Sequence, residues 1–172
     1  MIANETAKRA RQFLKYFSCA FALFVVVGCA TAAQLVDHAF AFDMRADDLD
    51  TVVLDYRYGE SKTPMASNPE HIRAEGRSLQ ATHVRGEMPV GTFLYVKWRS
   101  KSSGQTYEQT VDLTKRLPRD IRGHTVYFTI RGSQLYVLLI SRERTSDTPS
   151  AIVPREYRGL KTLTLFPDSL SN

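Results

Sequence analysis

In about seven segments between residues 36 and 166, apolar side chains recur at every second position. A strand turns successive side chains to opposite faces, so this period buries one face of a sheet and leaves the other polar. "TYEQTVDL" (106–113) places Tyr107, Gln109, Val111 and Leu113 on one face and Thr106, Glu108, Thr110 and Asp112 on the other. "TFLYVKWRS" (92–100) does the same with Leu94, Val96 and Trp98, and the intervening "KSSGQ" reads as the turn of a hairpin. "VDHAFAFDM" (36–44) puts Val36, His38, Phe40, Phe42 and Met44 on a common face. "TVVLDYRY" (51–58) does so with Val52, Leu54, Tyr56 and Tyr58, opposite Asp55 and Arg57.

"HTVYFTIR" (124–131) turns Val126, Phe128 and Ile130 inward, and Arg131-Gly132-Ser133 reverses the chain. "QLYVLLIS" (134–141) is almost continuously apolar, the pattern of a central strand buried on both faces. A polar stretch (142–156) leads to a last strand, "LKTLTLF" (160–166), which Pro167 stops. Residues 59–80 are polar and carry Pro64 and Pro69 with little periodicity, which predicts a long loop. Within it a short helix over 69–75 is expected, with Asn68 as its cap and Pro69 at its first position. The expected fold is all-β: an antiparallel sandwich or partly open barrel of about seven strands, after an N-terminal signal helix.

The N-terminus carries Lys8, Arg9, Arg11 and Lys15 against Glu5 alone. An uncharged run follows from Tyr16 to Val36, most apolar between Phe17 and Val27. A basic region followed by an apolar segment of this length has the layout of a secretory signal. The strongly apolar part is short for a membrane span, which takes about 20 residues. The full uncharged run is long enough to keep an uncleaved anchor as the alternative reading. Val26-Val27-Gly28-Cys29 resembles the lipobox of bacterial lipoproteins: an aliphatic residue, a tolerant position, a small residue, then cysteine. That resemblance implies cleavage between Gly28 and Cys29 and a lipid, palmitate included, on the Cys29 sulfur. Two or more acyl chains hold a protein firmly to a bilayer. Ala30, rather than an aspartate, follows the cysteine, which by the same resemblance implies the outer membrane, facing the periplasm. The expected organisation is a signal peptide over 1–28, a lipidated tether over 29–35, one β domain over 36–167 and a loose tail over 168–172. Of the two cysteines, Cys19 would leave with the signal and Cys29 would be acylated, so no disulfide is expected in the mature domain.

The formal charge of +5 owes much to the basic N-terminus; without it the chain is near balance. No nucleic-acid partner is therefore expected. The four histidines, His38, His71, His83 and His124, occur in none of the paired spacings of zinc enzymes. "GES" (59–61) and "GRSLQ" (76–80) lack the G-x-S-x-G elbow of a nucleophilic serine. "ADDLD" (46–50) lacks the glycine and distal glutamate of a calcium loop, so Asp47, Asp48 and Asp50 read as a solvated turn. No catalytic residue, metal ligand or cofactor is nominated, and the chain is read as a non-enzyme.

Arginines offer a binding chemistry. Arg73, Arg77 and Arg85 flank the long loop, Arg119 and Arg122 lie in the 114–123 connection, and Arg142 and Arg144 follow the central strand. Arginine pairs with carboxylates through a planar fork and is enriched at interfaces. These seven are the candidate partner-binding residues, with solubility charge on loops as the plainer account. Trp98, Tyr56 and Tyr107 lie in the apolar phase of their strands and read as core. In size and layout the chain is similar to small envelope lipoproteins associated with type VI secretion effectors, which implies an immunity protein against a toxin acting in the periplasm. A structural subunit of a secretion or pilus assembly is the alternative, and an envelope hydrolase the third reading.

Overall fold

The first strand, β1 (Leu35–Asp43), is held on both sides, and the rest of the larger sheet is laid out from it. A computed structural model describes residues 35–168 of the chain. The expected signal segment, the lipobox and all but Leu35 of the expected tether lie outside the described residues. One antiparallel neighbour of β1 is β3 (Ala81–Pro89), in register from Leu35 opposite Pro89 to Asp43 opposite Ala81. On its other side lies β6 (Thr125–Arg131), which runs parallel to it. β7 (Gln134–Arg144) and β8 (Leu160–Phe166) complete a sheet of order β3-β1-β6-β7-β8. A second sheet has the order β2-β4-β5, from β2 (Thr51–Tyr58), β4 (Phe93–Ser100) and β5 (Thr106–Asp112).

The two sheets share one core, so the fold is the expected all-β sandwich. Phe40, Phe42 and Met44 from β1 and its end meet Val126, Phe128 and Ile130 of β6 and Leu135, Val137 and Leu139 of β7. From the smaller sheet come Tyr56, Tyr58, Leu94, Val96, Trp98 and Val111. Full burial of each large side chain contributes about 1.5–3 kcal/mol. The parallel pair departs from an all-antiparallel reading. Its cause is the return path from β5: the connection closes with Gly123 N–H on the Asp37 carbonyl and Ala39 N–H on the His124 carbonyl. β6 therefore begins beside the start of β1 and runs with it.

Three local expectations are corrected. An eighth strand, β3, was not anticipated. Its inward phase is Thr82, Val84, Gly86 and Met88, too weakly apolar to register as a strand, yet its backbone pairs along the whole of β1. Secondly, β2 does not keep one phase. A bulge at Leu54 puts Val53 opposite Trp98 and Asp55 opposite Lys97, so Val53, Tyr56 and Tyr58 face the core while Val52 and Leu54 are only half-buried. Thirdly, the short helix exists as α2 (Glu70–Ala74), after the single turn α1 (Met44–Asp47), but Pro69 stands at its cap position. Asn68 is buried instead, where its amide donates to the Arg77 carbonyl (3.0 Å) and its carbonyl oxygen accepts from Leu79 N–H (3.4 Å). At the other end Asp168, expected in the loose tail, accepts from Arg116 (3.2 Å to Nη2).

The stretch after β7 is less polar in effect than in composition. Ile152 packs on the outer face of the larger sheet against Ala41, Tyr127, Leu138 and Ile140, so β6 and β7 are buried on both sides. Tyr157 meets the Tyr127 ring edge-on at 5.3 Å. The Tyr127 hydroxyl accepts from Asp43 N–H (3.0 Å) and donates to Asp47 Oδ2 (2.8 Å).

Burial raises the Asp47 carboxyl above its ordinary value of 3.8, with the Tyr127 hydroxyl and Arg131 offsetting part of the cost. A raised acid favours folding most when protonated: its contribution is complete below the ordinary value and is lost as pH rises through the folded one. Asp47→Asn keeps an oxygen for Tyr127 and removes the charge. The variant should therefore gain stability relative to the native chain as pH rises from about 3 to about 7. Urea midpoints of both proteins across that range would test this, and a difference that does not change with pH would refute it.

Candidate protein-binding site

The inward phase of β4, Leu94, Val96 and Trp98, leaves Phe93, Tyr95, Lys97 and Arg99 on the outer face of the smaller sheet. From β2 the same face receives Val52, Asp55 and Arg57, and from β5 it receives Glu108 and Asp112. The 145–159 segment covers part of the larger sheet, whereas this face presents half-buried aromatic rings to solvent. The Arg57 guanidinium lies 5.5 Å from the centre of the Phe93 ring and 5.9 Å from that of Tyr95. A guanidinium over a ring keeps an aromatic face polar enough to stand in water. Lys97 pairs with Glu108 at 3.8 Å, and Asp55 with Arg73 of α2 at 3.4 Å. Basic groups therefore gather over β2 and β4, while Glu108 and Asp112 mark the β5 side.

Where the bulge displaces Leu54, the face runs into a groove of about 410 Å³. Val52, Val53 and Leu54 line it, with Leu49, which is 74% exposed, at its mouth. Its walls are the 44–49 turn and the 76–80 segment, both fixed by hydrogen bonds to the β2 region. Gln80 clamps the backbone of Val53, accepting from its N–H (2.9 Å) and donating to its carbonyl (2.8 Å). Asp48 accepts from Asp50 N–H (3.0 Å) and from the Thr51 hydroxyl (2.9 Å).

Four cations line the groove: Arg45, Arg77, Arg99 and Lys101. Asp43 holds Arg45 at 3.0 Å, and this contact lowers the Asp43 pKa. Glu75 holds Arg77. Lys101 donates to the neutral carbonyl of Leu49 (2.6 Å). Arg99 makes no ion pair among the described residues.

The seven arginines singled out in the sequence are spread over the molecule. Arg77 lines the groove and Arg73 stands next to it, donating to the Asn68 carbonyl (3.0 Å). Arg85 is on β3, at the far edge of the larger sheet, 3.7 Å from Asp37. Arg119 and Arg122 lie between β5 and β6, with Arg122 4.0 Å from Asp120. Arg142 and Arg144 are exposed at the end of β7. Arg45, Arg57, Arg99 and Lys101 were not anticipated. For Arg57 and Arg99 the available sign was their place in the outward phase of apolar strands. The bulge that opens the groove leaves no such sign.

Titratable groups inside the fold are engaged with one another. His38 is buried, its Nδ1 2.8 Å from the Val36 carbonyl and its Nε2 3.1 Å from the Tyr58 hydroxyl. The carbonyl can only accept, so Nδ1 carries the proton and Tyr58 donates to Nε2. Burial lowers the His38 pKa, which keeps the ring neutral. His71 is on α2, His83 on β3, and His124 contacts the Arg122 carbonyl at 3.0 Å. Asp50, the third aspartate of "ADDLD", accepts from the Ser100 (2.7 Å) and Ser102 (2.9 Å) hydroxyls. Among the described residues, no three His, Cys, Asp or Glu side chains are grouped to hold a metal ion. Nor is any helix there long and apolar enough to cross a membrane. Comparison with protein-family models, curated proteins and solved structures finds no match to this chain.

Arg99 projects from the sheet without an ion pair, so its charge should be dispensable for folding. Arg99→Glu should shift the stability read from a urea midpoint by no more than about 0.5 kcal/mol. A loss above about 1 kcal/mol would show instead that the arginine is structural.

Proposed function

We propose that the protein is a lipid-anchored lipoprotein of a bacterial cell envelope, at the outer membrane and facing the periplasm, and that it acts as a protein-binding module. In its sharper form the proposal is an immunity protein that holds a periplasm-acting toxin. The observation that carries the binding role is the outer face of the smaller sheet, left open among the described residues, with Arg57 laid over Phe93 and Tyr95 and the groove alongside. Aromatic residues and arginine are enriched at the centres of protein interfaces, where they fill well-packed, desolvated pockets. Binding is preferred to catalysis because the buried groups with displaced titration, His38 and Tyr58, Asp47 and Tyr127, are already spent on one another. The lipid anchor rests on Val26-Val27-Gly28-Cys29 behind its basic and apolar segments.

The anchor and the binding role have separate tests. Expressed in a bacterial host with labelled palmitate, the native chain should carry label in the membrane fraction, and Cys29→Ser should carry none. An unlabelled native chain would refute the lipoprotein reading.

For binding, a photoreactive residue in place of Tyr95 should give a discrete heteromeric adduct in the producing cell's envelope. The same residue in place of Lys161, on the larger sheet, should not. Equal adducts at both positions, or none at Tyr95, would refute this face as the docking surface.

A further inference from the structure

The groove beside β2 has a chemistry of its own, and it narrows the class of partner. Resting on the protein-binding reading above, we infer that the partner docks through an acidic segment whose bulky apolar side chain seats in the groove between Leu49 and Leu54. The lining supplies both halves of that match. Val52 and Leu54 form an apolar floor half-open to water, and Leu49 stands exposed at its side. A floor of this kind takes an aliphatic or aromatic side chain.

Around the floor cations outnumber carboxylates four to one. Arg45, Arg77, Arg99 and Lys101 line the groove, and its one carboxylate, Asp48, has both oxygens occupied by Asp50 N–H and the Thr51 hydroxyl. Arg45 and Arg77 are steadied by Asp43 and Glu75, carboxylates outside the groove's lining. Their remaining N–H groups keep a defined direction, as a fork for a carboxylate requires. Arg99 has no ion pair among the described residues, and Lys101 is bonded to an uncharged oxygen. Both charges are available to a partner. Carboxylates flanking the seated side chain would meet these four cations, while a basic segment would be repelled.

Strand addition is not the docking mode at this edge. The outward backbone groups of β2 are already taken: Val53 by Gln80, Tyr56 O by Asn68 N–H, and Tyr58 N–H by the Ala66 carbonyl. The partner is therefore read through side chains, and its acidity sets both selectivity and salt dependence.

The test pans a displayed random peptide library against the full chain in detergent micelles. It is repeated on Leu49→Asp and on Arg99→Glu combined with Lys101→Glu, all three at exposed positions. Enriched peptides should place aspartate or glutamate on both sides of a leucine, phenylalanine or tryptophan. Each variant should weaken them by about tenfold or more, and added salt should weaken them further. Enriched peptides that are neutral or basic, or that bind the variants equally well, would overturn the acidic-segment inference and leave the binding reading intact. No enrichment together with a Tyr95 adduct would overturn it in the same way. No enrichment and no adduct would remove the binding reading itself.

Discussion

The sandwich depends on a tier of aromatic rings that crosses from one sheet to the other. Phe40 stacks on Tyr58 with centroids 4.8 Å apart and planes 7° from parallel. Phe42 stacks on Phe128 at 4.4 Å and meets the edge of Tyr56 at 4.8 Å. β1 and β6 are thereby joined to β2, which belongs to the other sheet. Both cysteines, Cys19 and Cys29, lie outside the described residues, so no disulfide closes the two layers described here. Rings of this size bring polar tips into the core, and each tip has to be satisfied. The Tyr58 hydroxyl donates to His38 Nε2 and that of Tyr56 to the Met65 carbonyl (3.2 Å). Burial pushes both phenols up to about 12 and keeps His38 low, so the tier is uncharged at neutral pH. Gly91 is part of the same arrangement: a Cβ there would come within 2.5 Å of the Tyr58 ring.

Placing Tyr56 and Tyr58 in the core is also what opens the groove. Both have to point inward, and so does Val53, which strict alternation from Tyr56 would forbid. The bulge at Leu54 reconciles the two halves of β2. It leaves Leu54 facing out and Val53 with backbone groups that need a partner, which Gln80 supplies. The loop that carries Gln80 brings Arg77 with it, and the turn before β2 brings Arg45. Two of the groove's four cations thus arrive as a consequence of how the β2 edge is satisfied; Arg99 and Lys101 come from β4 and the turn after it.

Much of the scaffold was legible because burial and alternation coincide. Leu94, Val96 and Trp98 hold one phase, and so do Phe40, Phe42 and Met44. The same rule failed at β3, where Thr82 and Gly86 fill inward positions and pairing with β1 comes through the backbone. It failed at Leu54, since a bulge changes the phase without changing the composition. The segment after β7 was misjudged because Ile152, Val153 and Pro154 of that polar run are buried, with Ile152 packed on the outer face of the sheet that β7 itself belongs to. The groove was the least legible feature. Arg45, Arg77 and the Arg99–Lys101 pair come from three separate stretches of the chain and share nothing in sequence except charge. Of the arginines chosen by their clustering along the chain, Arg77 alone lines the groove, while Arg85, Arg122, Arg142 and Arg144 lie elsewhere on the surface.

The two outer faces of the sandwich are treated differently, and the difference bears on function. The larger sheet is covered by the chain itself, at the cost of burying the Asp47 carboxyl beneath Tyr127 and the turn at Glu156. The smaller sheet keeps Phe93 and Tyr95 at the surface, with the Arg57 guanidinium over both rings. A chain able to fold a segment over one sheet could have covered or made polar the other. An apolar patch left open beside unpaired cations is a liability for a free protein in solution and an asset for one that meets a partner.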